Sequence, residues 1–435
     1  MSEEKDSAPG ISSHANDSRA PLRSFNTGPV DEVGILAAAE WMSENLLEYG
    51  YDLVCVDGGW NINGSELVID SFGRPYPRSD LFPSAAGGRG FRPLADKVHA
   101  LGLRLGVWMN RGMDDSAYAA NTPVWNSSFH ARDAGVTTNN CVFASSFLGT
   151  NAPSAAASAW YRSIAQLYLD WNVDFIKMDC MYAGHEGGNN GELDAFTEAF
   201  AAVAPGVTIS LSPGGGSSTE NASWVAAGGG ERGTMYRVVT DFHDTEGDWA
   251  LRNHLEVAGQ FAGFSGLNGT FFDLDMLPFS PAGRPCRYSN ETQRLLFTLY
   301  CITRAPLLLG TDMPLTDAAA LALVTNRNAL NVHAASRASR NVTVVATNTS
   351  DAGGLFAWTA LPAEGSAGAF VALFNIRGAD ALVSVAMPSG AGAPPLCATE
   401  VYSGARVPGV SFAGGAPFTM PVADHDSGLW RVAPC

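Results

Sequence analysis

Short apolar runs alternate with segments of helical periodicity over most of the chain. The run at residues 53–56, for example, follows a segment in which Ile35, Ala39, Met42 and Leu46 recur at helical spacing. Such a segment predicts a helix, and a short apolar run bounded by turn residues predicts a buried strand. Further strands are predicted at residues 22–26, 104–108, 173–178, 207–211, 236–239, 271–273 and 306–309. Eight strand and helix pairs with right-handed crossovers predict an α/β fold, a closed (β/α)8 TIM barrel.

The pattern changes near residue 332, where short runs rich in Val, Phe and Thr replace the longer units. Runs at residues 342–346, 369–374, 383–385 and 428–432 are separated by Gly and Pro, which predicts antiparallel strands. Residues 1–20 are polar and predict a disordered tail. We therefore expect a barrel over residues 21–330 and a C-terminal antiparallel β-sandwich domain over residues 331–435.

Charge narrows the choice of partners. The 435 residues have a net charge of −17 and a pI near 4.8. Such a field repels nucleic acid and anionic membrane surfaces, so we expect neither as a partner. No apolar run is long enough to span a bilayer. A small neutral substrate fits this composition better.

Glycosylation signals point to the secretory pathway, although residues 1–20 lack the apolar centre of a signal peptide. Eight Asn-x-Ser/Thr sites occur, at Asn16, Asn63, Asn126, Asn221, Asn268, Asn290, Asn341 and Asn348. We expect an extracellular, vacuolar or lysosomal glycoprotein whose leader is missing from this sequence or whose gene start is misassigned. Seven cysteines leave one unpaired, so one or two disulfide bonds are expected rather than a full framework.

The run from Asp174 to Tyr182 contains the most informative pair of charged residues. Lys177 and Asp179 lie at the carboxyl end of its predicted strand, where barrel enzymes place their chemistry. A carboxylate kept ionised by a neighbouring cation is a candidate nucleophile. The alternative is that Asp179 is only the N-cap of the following helix.

Other predicted strands also end in carboxylates. They are Asp57, Asp241, Asp273 and Asp275. Together with Trp60 and Trp108 they predict a pocket for a sugar, because hydroxyl groups need acceptors and the apolar face of a sugar packs on aromatic rings. Two such acids are what glycoside hydrolysis requires.

A metal-dependent barrel is the competing chemistry. The eight histidines do not cluster, and only His243 lies near a predicted strand end. The Gly-rich turn at residues 213–216 lacks the lysine of a phosphate-binding loop. We therefore expect no metal and no organic cofactor.

Nearly the whole chain, from Arg23 to Cys435, resembles glycoside hydrolase family 27, the retaining α-galactosidases and their relatives. The resemblance rests on residues 54–57 with Trp60, residues 101–108, and the motifs Asp174-Phe175-Ile176-Lys177-Met178-Asp179-Cys180, Tyr236-Arg237-Val238-Val239-Thr240-Asp241 and Asp273-Leu274-Asp275-Met276-Leu277. Residues 69–74 and 210–214 are most similar to the plant-type branch that includes β-L-arabinopyranosidases.

The resemblance implies a role for each matching residue. Asp179 is the implied nucleophile and Asp241 the implied general acid/base. Sugar contacts are implied for Asp57, Lys177, Arg237, Asp275 and Met276. Asp273 either caps a turn or holds Arg237. The family also implies a disulfide bond between Cys141 and Cys180; we further expect one between Cys397 and Cys435, with Cys55 and Cys301 as free buried thiols.

Departures from the family pattern affect the substrate rather than the catalytic acids. Gly58 and Gly28 stand where the family has a carboxylate and an indole, Phe25 replaces another Trp, and residues 212–214 replace Cys-Glu-Trp. We expect a retaining exo-glycosidase that releases terminal α-D-galactosyl or β-L-arabinopyranosyl units from glycans. The alternative is a carbohydrate-binding pseudoenzyme of the same fold. The sequence leaves open whether the protein is a homodimer.

Overall fold

The computed structural model describes residues 22–26, 30–63, 66–141, 146–181, 190–213, 219–228, 233–280, 284–347, 353–387, 391, 395–412 and 416–435. The predicted tail and Gly28 lie outside these residues. The strands of the first part are β1 (Leu22–Asn26), β2 (Tyr51–Val56), β3 (Ile62–Asn63), β4 (Glu66–Leu67), β5 (Arg104–Asn110), β6 (Met113–Asp114), β7 (Gly135–Val136), β8 (Phe147–Thr150), β9 (Phe175–Asp179), β10 (Thr208–Ser212), β11 (Met235–Arg237), β12 (Phe271–Asp273), β13 (Met276–Ser280) and β14 (Leu308–Thr311).

The α-helices lie between and after these strands. They are α1 (Glu32–Asn45), α2 (Arg92–Ala100), α3 (Asp115–Ala120), α4 (Ala131–Ala134), α5 (Ala155–Asp170), α6 (Asn190–Val203), α7 (Thr219–Ala227), α8 (Asp248–Phe261), α9 (Asn290–Thr303), α10 (Ala318–Val324) and α11 (Arg327–Ala335). Short 3-10 turns lie at Leu47–Tyr49, Pro83–Ala85, Ala262–Phe264 and Met313–Leu315. None of the helices in the described part of the chain is long and apolar enough to cross a membrane.

A parallel sheet forms the barrel, in the order β12-β11-β10-β9-β5-β2-β1-β14-β13. Its two end strands, β12 and β13, follow each other in the chain and are separated only by Leu274 and Asp275. The sheet therefore closes through one interrupted strand: β12 pairs with β11, and β13 pairs with β14. This arrangement confirms the predicted (β/α)8 barrel.

The barrel strands form where the sequence has apolar runs that are covered on both faces. All of β9 is buried except Asp179 at its end, and β5 continues two residues beyond the predicted end at Trp108. The apolar periodicity of residues 248–261 predicts a helix, and α8 has these bounds. The strand β11 ends at Arg237 and is shorter than the one predicted at residues 236–239. The sequence after β5, up to about residue 153, predicts one long loop. It instead contains α3, α4 and the small sheet β6-β8-β7.

The C-terminal part is antiparallel, as predicted. Its strands are β15 (Arg337–Val342), β16 (Val344–Thr347), β17 (Leu355–Leu361), β18 (Ala369–Asn375), β19 (Ala381–Val385), β20 (Leu396–Glu400), β21 (Arg406–Phe412), β22 (Phe418–Val422) and β23 (Asp426–Pro434). They form two sheets, β15-β17-β18-β23-β20-β21 and β16-β19-β22, which share an apolar core. Arg294 of α9 forms an ion pair with Asp426 of β23 and joins the barrel to this part.

Candidate active site

Asp179 lies at the carboxyl end of β9, and two donors fix its carboxylate. Its Oδ1 accepts a hydrogen bond from the Cys180 amide at 2.7 Å, and its Oδ2 accepts one from the Trp108 indole Nε1 at 3.1 Å. Trp108 lies on the neighbouring strand β5, in register with Lys177. The next described helix, α6, begins at Asn190, so Asp179 is not the N-cap of that helix. The carboxylate is thus held in the mouth of the barrel with a defined orientation.

Lys177 is buried and lies among carboxylates. Its ammonium Nζ is 3.3 Å from Asp57 Oδ2, and Asp57 Oδ1 accepts a hydrogen bond from the Gly58 amide at 2.8 Å. Burial lowers the pKa of Lys177, but attraction to Asp57, Asp275 and Asp179 outweighs burial, so the pKa is raised above its usual value. The ammonium form of Lys177 is therefore favoured by its carboxylate neighbours.

Arg237, the last residue of β11, is the second buried cation. Its Nη1 is 2.7 Å from Asp241 Oδ1 and 3.5 Å from Asp275 Oδ1. Burial lowers the pKa of Arg237, whereas Asp275, Asp241 and other carboxylates raise it further than burial lowers it. The Asp241 side chain is 70% exposed, so its carboxylate reaches solvent while one oxygen contacts the guanidinium.

Asp273 and Asp275 lie at the interruption between β12 and β13. Asp275 has a left-handed backbone with φ of 68°, and its Oδ2 accepts a hydrogen bond from the Phe242 amide at 2.7 Å. Asp273 Oδ1 accepts one from the Asp275 amide at 2.8 Å. Burial, followed by repulsion from Asp275, raises the pKa of Asp273 to about 6. Two roles were expected for Asp273. The hydrogen bond from the Asp275 amide is a direct contact that supports the role of capping this turn.

The loop that contains Asp241 is attached to a second loop by an ion pair. Asp244, whose side chain is 1% exposed, contacts the Arg284 guanidinium through two bonds of 2.6 and 2.7 Å. It also accepts a hydrogen bond from the Arg287 amide at 2.8 Å. The Tyr288 hydroxyl donates to the carbonyl oxygens of His243 and Glu246, both at 3.1 Å. The segment after β11 is therefore ordered by polar contacts rather than by a strand.

The two predicted aromatic walls behave differently. Trp108 is half-buried and faces the site, whereas Trp60 is only 1% exposed. The Trp60 ring packs on Phe91 and Trp171, and its indole N–H donates to the Trp108 carbonyl at 2.9 Å. The prediction that Trp60 contacts the substrate is therefore corrected: Trp60 supports the strand of Trp108 from behind, because aromatic rings from later segments cover it.

Met276 is half-buried at the start of β13. Its side chain packs against an apolar cluster inside the barrel, formed by Leu53, Cys55, Phe175, Met235 and Leu308. Its predicted contact with a sugar therefore stays a prediction.

Both predicted disulfide bonds are present. Cys141 bonds to Cys180, directly after Asp179, and Cys397 bonds to Cys435. Cys55 and Cys301 are free and buried, as predicted, and Cys286 is a third free thiol. The first bond attaches the segment between β7 and β8 of the small sheet to the residue that follows the candidate nucleophile, and Cys180 itself has a left-handed φ of 59°.

Sequence reasoning missed three polar residues near Asp179. Asn110 and Ser212 are in register with Asp179 on the two neighbouring strands. Among the described residues, neither Asn110 Oδ1 nor Ser212 Oγ has a hydrogen-bond partner, although both side chains are buried. Arg111, the residue after β5, is 1% exposed and contacts the Cys180 carbonyl. Its position three residues after the end of the predicted strand at residues 104–108 was the one signal available.

Within the described ranges, no group of three or more His, Cys, Asp or Glu side chains has the arrangement of a metal site. The carboxylates at the strand ends instead pair with Lys177 and Arg237.

Comparisons with known proteins agree with this geometry. α-Galactosidase 3 of Arabidopsis thaliana is 26% identical over 297 residues, which cover 67% of this chain and 54% of that protein. The α-galactosidase of Oryza sativa subsp. japonica is 24% identical over 400 residues, covering 90% of this chain and 78% of that protein. The chain thus spans about half the length of the Arabidopsis relative. No protein-family model matches the chain.

Solved structures match over the full length. A β-L-arabinopyranosidase of glycoside hydrolase family 27 from Geobacillus stearothermophilus, a variant in complex with arabinose, has a TM-score of 0.87 and 29% identity, and the match covers 96% of this chain and 98% of that chain. A structure of α-N-acetylgalactosaminidase type from Bacillus halodurans has a TM-score of 0.81 and 26% identity, covering 96% and 97% of the two chains.

Three observations together indicate that the protein is a barrel glycoside hydrolase. They are the barrel fold, the carboxylates paired with cations at its strand ends, and the similarity to these glycosidases. The chain is therefore similar in sequence to α-galactosidases, and in sequence and fold to a β-L-arabinopyranosidase of glycoside hydrolase family 27.

Proposed function

We propose that the protein is a retaining exo-glycosidase that releases terminal β-L-arabinopyranosyl or α-D-galactosyl units, with Asp179 as nucleophile and Asp241 as general acid/base. The carboxylate of Asp179 is the observation that carries this proposal. It is oriented by Trp108 and Cys180 in a barrel mouth that also contains two buried cations and four further carboxyl groups.

In the first step Asp179 attacks the anomeric carbon while Asp241 gives a proton to the leaving oxygen, and a covalent glycosyl-enzyme forms. Both donors to Asp179 come from rigid elements, so they orient the attacking oxygen before substrate binds. Lys177 and Asp57 lie beside the nucleophile, where they would bind sugar hydroxyl groups.

In the second step Asp241 removes a proton from water, which attacks the anomeric carbon and releases the sugar with retained configuration. Asp241 is negatively charged when this step begins, and Arg237 at 2.7 Å stabilises that charge. For the first step Asp241 has to bind a proton, so the contact with Arg237 has to loosen when substrate enters. We expect the two carboxyl groups to be about 5 to 5.5 Å apart in the sugar complex, and a separation nearer 8 Å would contradict retention.

The substrate proposal rests on Gly58. A Cβ at this position would lie 3.6 to 3.7 Å from atoms of the Trp108 ring, so the missing side chain leaves space over that ring. The family has a carboxylate here that binds galactose on its O4 and O6 side. L-arabinopyranose has the same ring stereochemistry but lacks the hydroxymethyl group. It therefore loses fewer hydrogen bonds than galactose when this carboxylate is absent. The relative of known structure that was solved with arabinose supports this order of preference.

Matched para-nitrophenyl β-L-arabinopyranoside and α-D-galactopyranoside test the proposal. We expect turnover of both, with kcat/KM for the arabinoside equal to or above that for the galactoside. A galactoside preference above about a thousandfold would show that another side chain refills the space at Gly58, because one charged hydrogen bond accounts for about 10- to 150-fold. Binding of both sugars without turnover of either would identify a carbohydrate-binding pseudoenzyme instead.

Gly58→Asp is the matching variant. Its ordinary backbone and the van der Waals distance to Trp108 admit a side chain. We expect the ratio of kcat/KM to shift toward the galactoside by about 10- to 150-fold, since a charged acceptor to a hydroxyl contributes that much. Gly58→Ala adds the carbon without the acceptor and is expected to lower both values equally.

We also propose that the protein is a glycoprotein of the secretory pathway that acts on a small glycan. Two disulfide bonds support an oxidising compartment. Within the described residues, the sequon residues Asn126, Asn268, Asn290 and Asn341 are exposed. Expression through a eukaryotic secretory pathway, followed by enzymatic removal of N-glycans, should lower the mass of the protein. An unchanged mass would contradict the proposal.

A further inference from the structure

Arg111 contacts the backbone on which the candidate nucleophile is mounted. Its amide donates a hydrogen bond to the Asp179 carbonyl at 3.0 Å, and its guanidinium Nε donates to the Cys180 carbonyl at 2.6 Å. Arg111 directly follows β5, the strand that supplies Trp108. One residue therefore binds the carbonyl groups of two successive peptide bonds, Asp179–Cys180 and Cys180–Met181.

The other nitrogens of the guanidinium are fixed as well. Nη1 is 2.9 Å from Glu192 Oε2, and Nη2 donates to the Asn139 carbonyl at 2.9 Å. The Arg111 and Glu192 side chains are only 1% and 2% exposed. The second oxygen of Glu192 accepts hydrogen bonds from the Tyr161 hydroxyl at 2.5 Å and the Thr150 amide at 3.1 Å. A buried ion pair is tolerated only when its remaining hydrogen-bonding groups find partners. Here each of the three guanidinium nitrogens and both Glu192 oxygens has one.

The peptide that Arg111 binds has an unusual conformation. Cys180 has φ of 59°, a region that non-glycine residues rarely adopt, and it is bonded to Cys141. The amide of this peptide donates to Asp179 Oδ1. Rotation of the peptide would therefore move the carboxylate. The direction from which Asp179 meets a substrate depends on how firmly this peptide is held.

We propose that Arg111, paired with Glu192, is a positioning residue for Asp179: it fixes the Asp179–Cys180 peptide and so sets the geometry of nucleophilic attack. This inference rests on the proposed function, since it assumes that Asp179 is the nucleophile. According to this inference, formation of the glycosyl-enzyme depends on a buried charge pair, Arg111–Glu192, that lies outside the substrate pocket.

The main test is the double variant Arg111→Gln/Glu192→Gln, which removes both charges at similar volume and leaves no unpaired buried charge. The probe is a 2-deoxy-2-fluoro glycosyl fluoride of the better substrate, which accumulates the covalent adduct. We expect the labelling rate constant to fall about 10- to 100-fold, because a displacement near 1 Å at the reacting group has that effect. The Kd of the free sugar should change less than about twofold, since the pocket contacts remain.

A matched control is Arg294→Gln/Asp426→Asn, which removes the ion pair between α9 and β23. It should lower Tm but leave the labelling rate constant unchanged. Tyr161→Phe is the milder variant, in case the double variant does not fold. It removes one hydrogen bond to Glu192 and should slow labelling about 2- to 10-fold.

Azide separates positioning from a general loss of structure. In an Asp179→Gly background, azide replaces the nucleophile, so adding Arg111→Gln/Glu192→Gln should change the azide-rescued rate less than about twofold. A fall of 10-fold or more would overturn the inference, as would wild-type labelling rates in the folded double variant and in Tyr161→Phe. If the wild-type protein itself is neither labelled at Asp179 nor active, the proposed function fails, and the inference fails with it.

Discussion

The strand ends that hold the two proposed catalytic carboxylates are built in different ways. Asp179 ends a regular buried strand and is followed by a disulfide bond and the buried pair Arg111–Glu192. Asp241 lies beyond the short strand β11, is 70% exposed and is held by side-chain ion pairs. The difference matches the chemistry proposed for each. A nucleophile forms one bond along one direction, whereas an acid/base has to bind and release protons in two successive steps.

The largest effect is expected at Asp179, which ends the regular strand β9. Asp179→Asn keeps the shape of the side chain and an acceptor for Trp108, so Tm should change little. Turnover of both nitrophenyl glycosides should fall by roughly 10^4-fold or more, because the covalent route is lost. Steady-state kinetics after removal of any wild-type contamination measure the loss. Retention of more than about 1% of kcat would show that Asp179 is not the nucleophile, and the two strand ends would then not differ in the proposed way.

Asp241→Ala tests the exposed end, and here the result should depend on the leaving group. A dinitrophenyl glycoside needs no proton in the first step, so its burst should persist. A natural glycoside should lose about 10^2- to 10^4-fold in kcat/KM, the usual contribution of general acid catalysis. Azide should accelerate the slow second step, since it attacks without a base. An equal loss on both leaving groups would contradict the acid/base role.

The two disulfide bonds offer a matched pair of variants. Their sequence separations are 39 and 38 residues, so the chain-entropy model assigns each about 4 kcal/mol of stability at 25 °C. Replacing both cysteines of either pair with Ser should lower the free energy of urea unfolding by similar amounts. Only the Cys141/Cys180 variant should also lower kcat, because that bond holds the peptide after Asp179. Equal kcat values in the two variants would show that the nucleophile does not depend on this support.

The smallest effect is expected at Asp273, the buried carboxyl group at the end of β12. Burial raises the pKa of Asp273 from 3.8 to about 6. The folded protein therefore binds more protons than the unfolded chain between these values, and the stability that Asp273 contributes at low pH is lost as pH rises through this window. Asp273→Asn should raise the free energy of unfolding above about pH 6 by at most about 3 kcal/mol, and leave it unchanged below about pH 3.8.

Urea titrations from pH 3.5 to 8 measure this difference. Asp96→Asn, at an exposed carboxyl group on α2, is the control and should not alter the pH profile. A constant difference across the whole range would show that the pKa of Asp273 is the same in the folded and the unfolded protein, which would contradict the prediction.

Sequence alone predicted the elements that depend on local pattern. The apolar run before Lys177 became β9, and the periodicity after Gly247 became α8, because both signals come from consecutive residues. Asp179, Lys177, Arg237 and Asp275 lie together because parallel strands present their carboxyl ends at one edge. Most residues of the candidate site could therefore be predicted from their positions at the ends of the predicted strands.

What sequence missed depends on contacts between distant segments. Trp60 follows a strand, as a pocket residue would, but Phe91 and Trp171 cover it. Arg111 has partners at Cys180 and Glu192, which are 69 and 81 residues away in the chain. No local pattern indicates such a pair. The short helices and strands after β5 were missed for a similar reason, since they are stabilised by packing rather than by their own periodicity.

The interruption between β12 and β13 has a consequence for local unfolding. Each half of this strand pairs with only one neighbour, so the barrel is closed there by the covalent chain at Leu274 and Asp275 rather than by ladder hydrogen bonds. Side chains take over part of the role: Tyr300 and His254 both bind the Leu274 carbonyl. Barrel opening should begin at this join, and a bound sugar that touches Asp275 and Met276 would bridge it. Amide hydrogen exchange in β12 and β13 would then slow more on sugar binding than exchange in β9, which is paired on both sides.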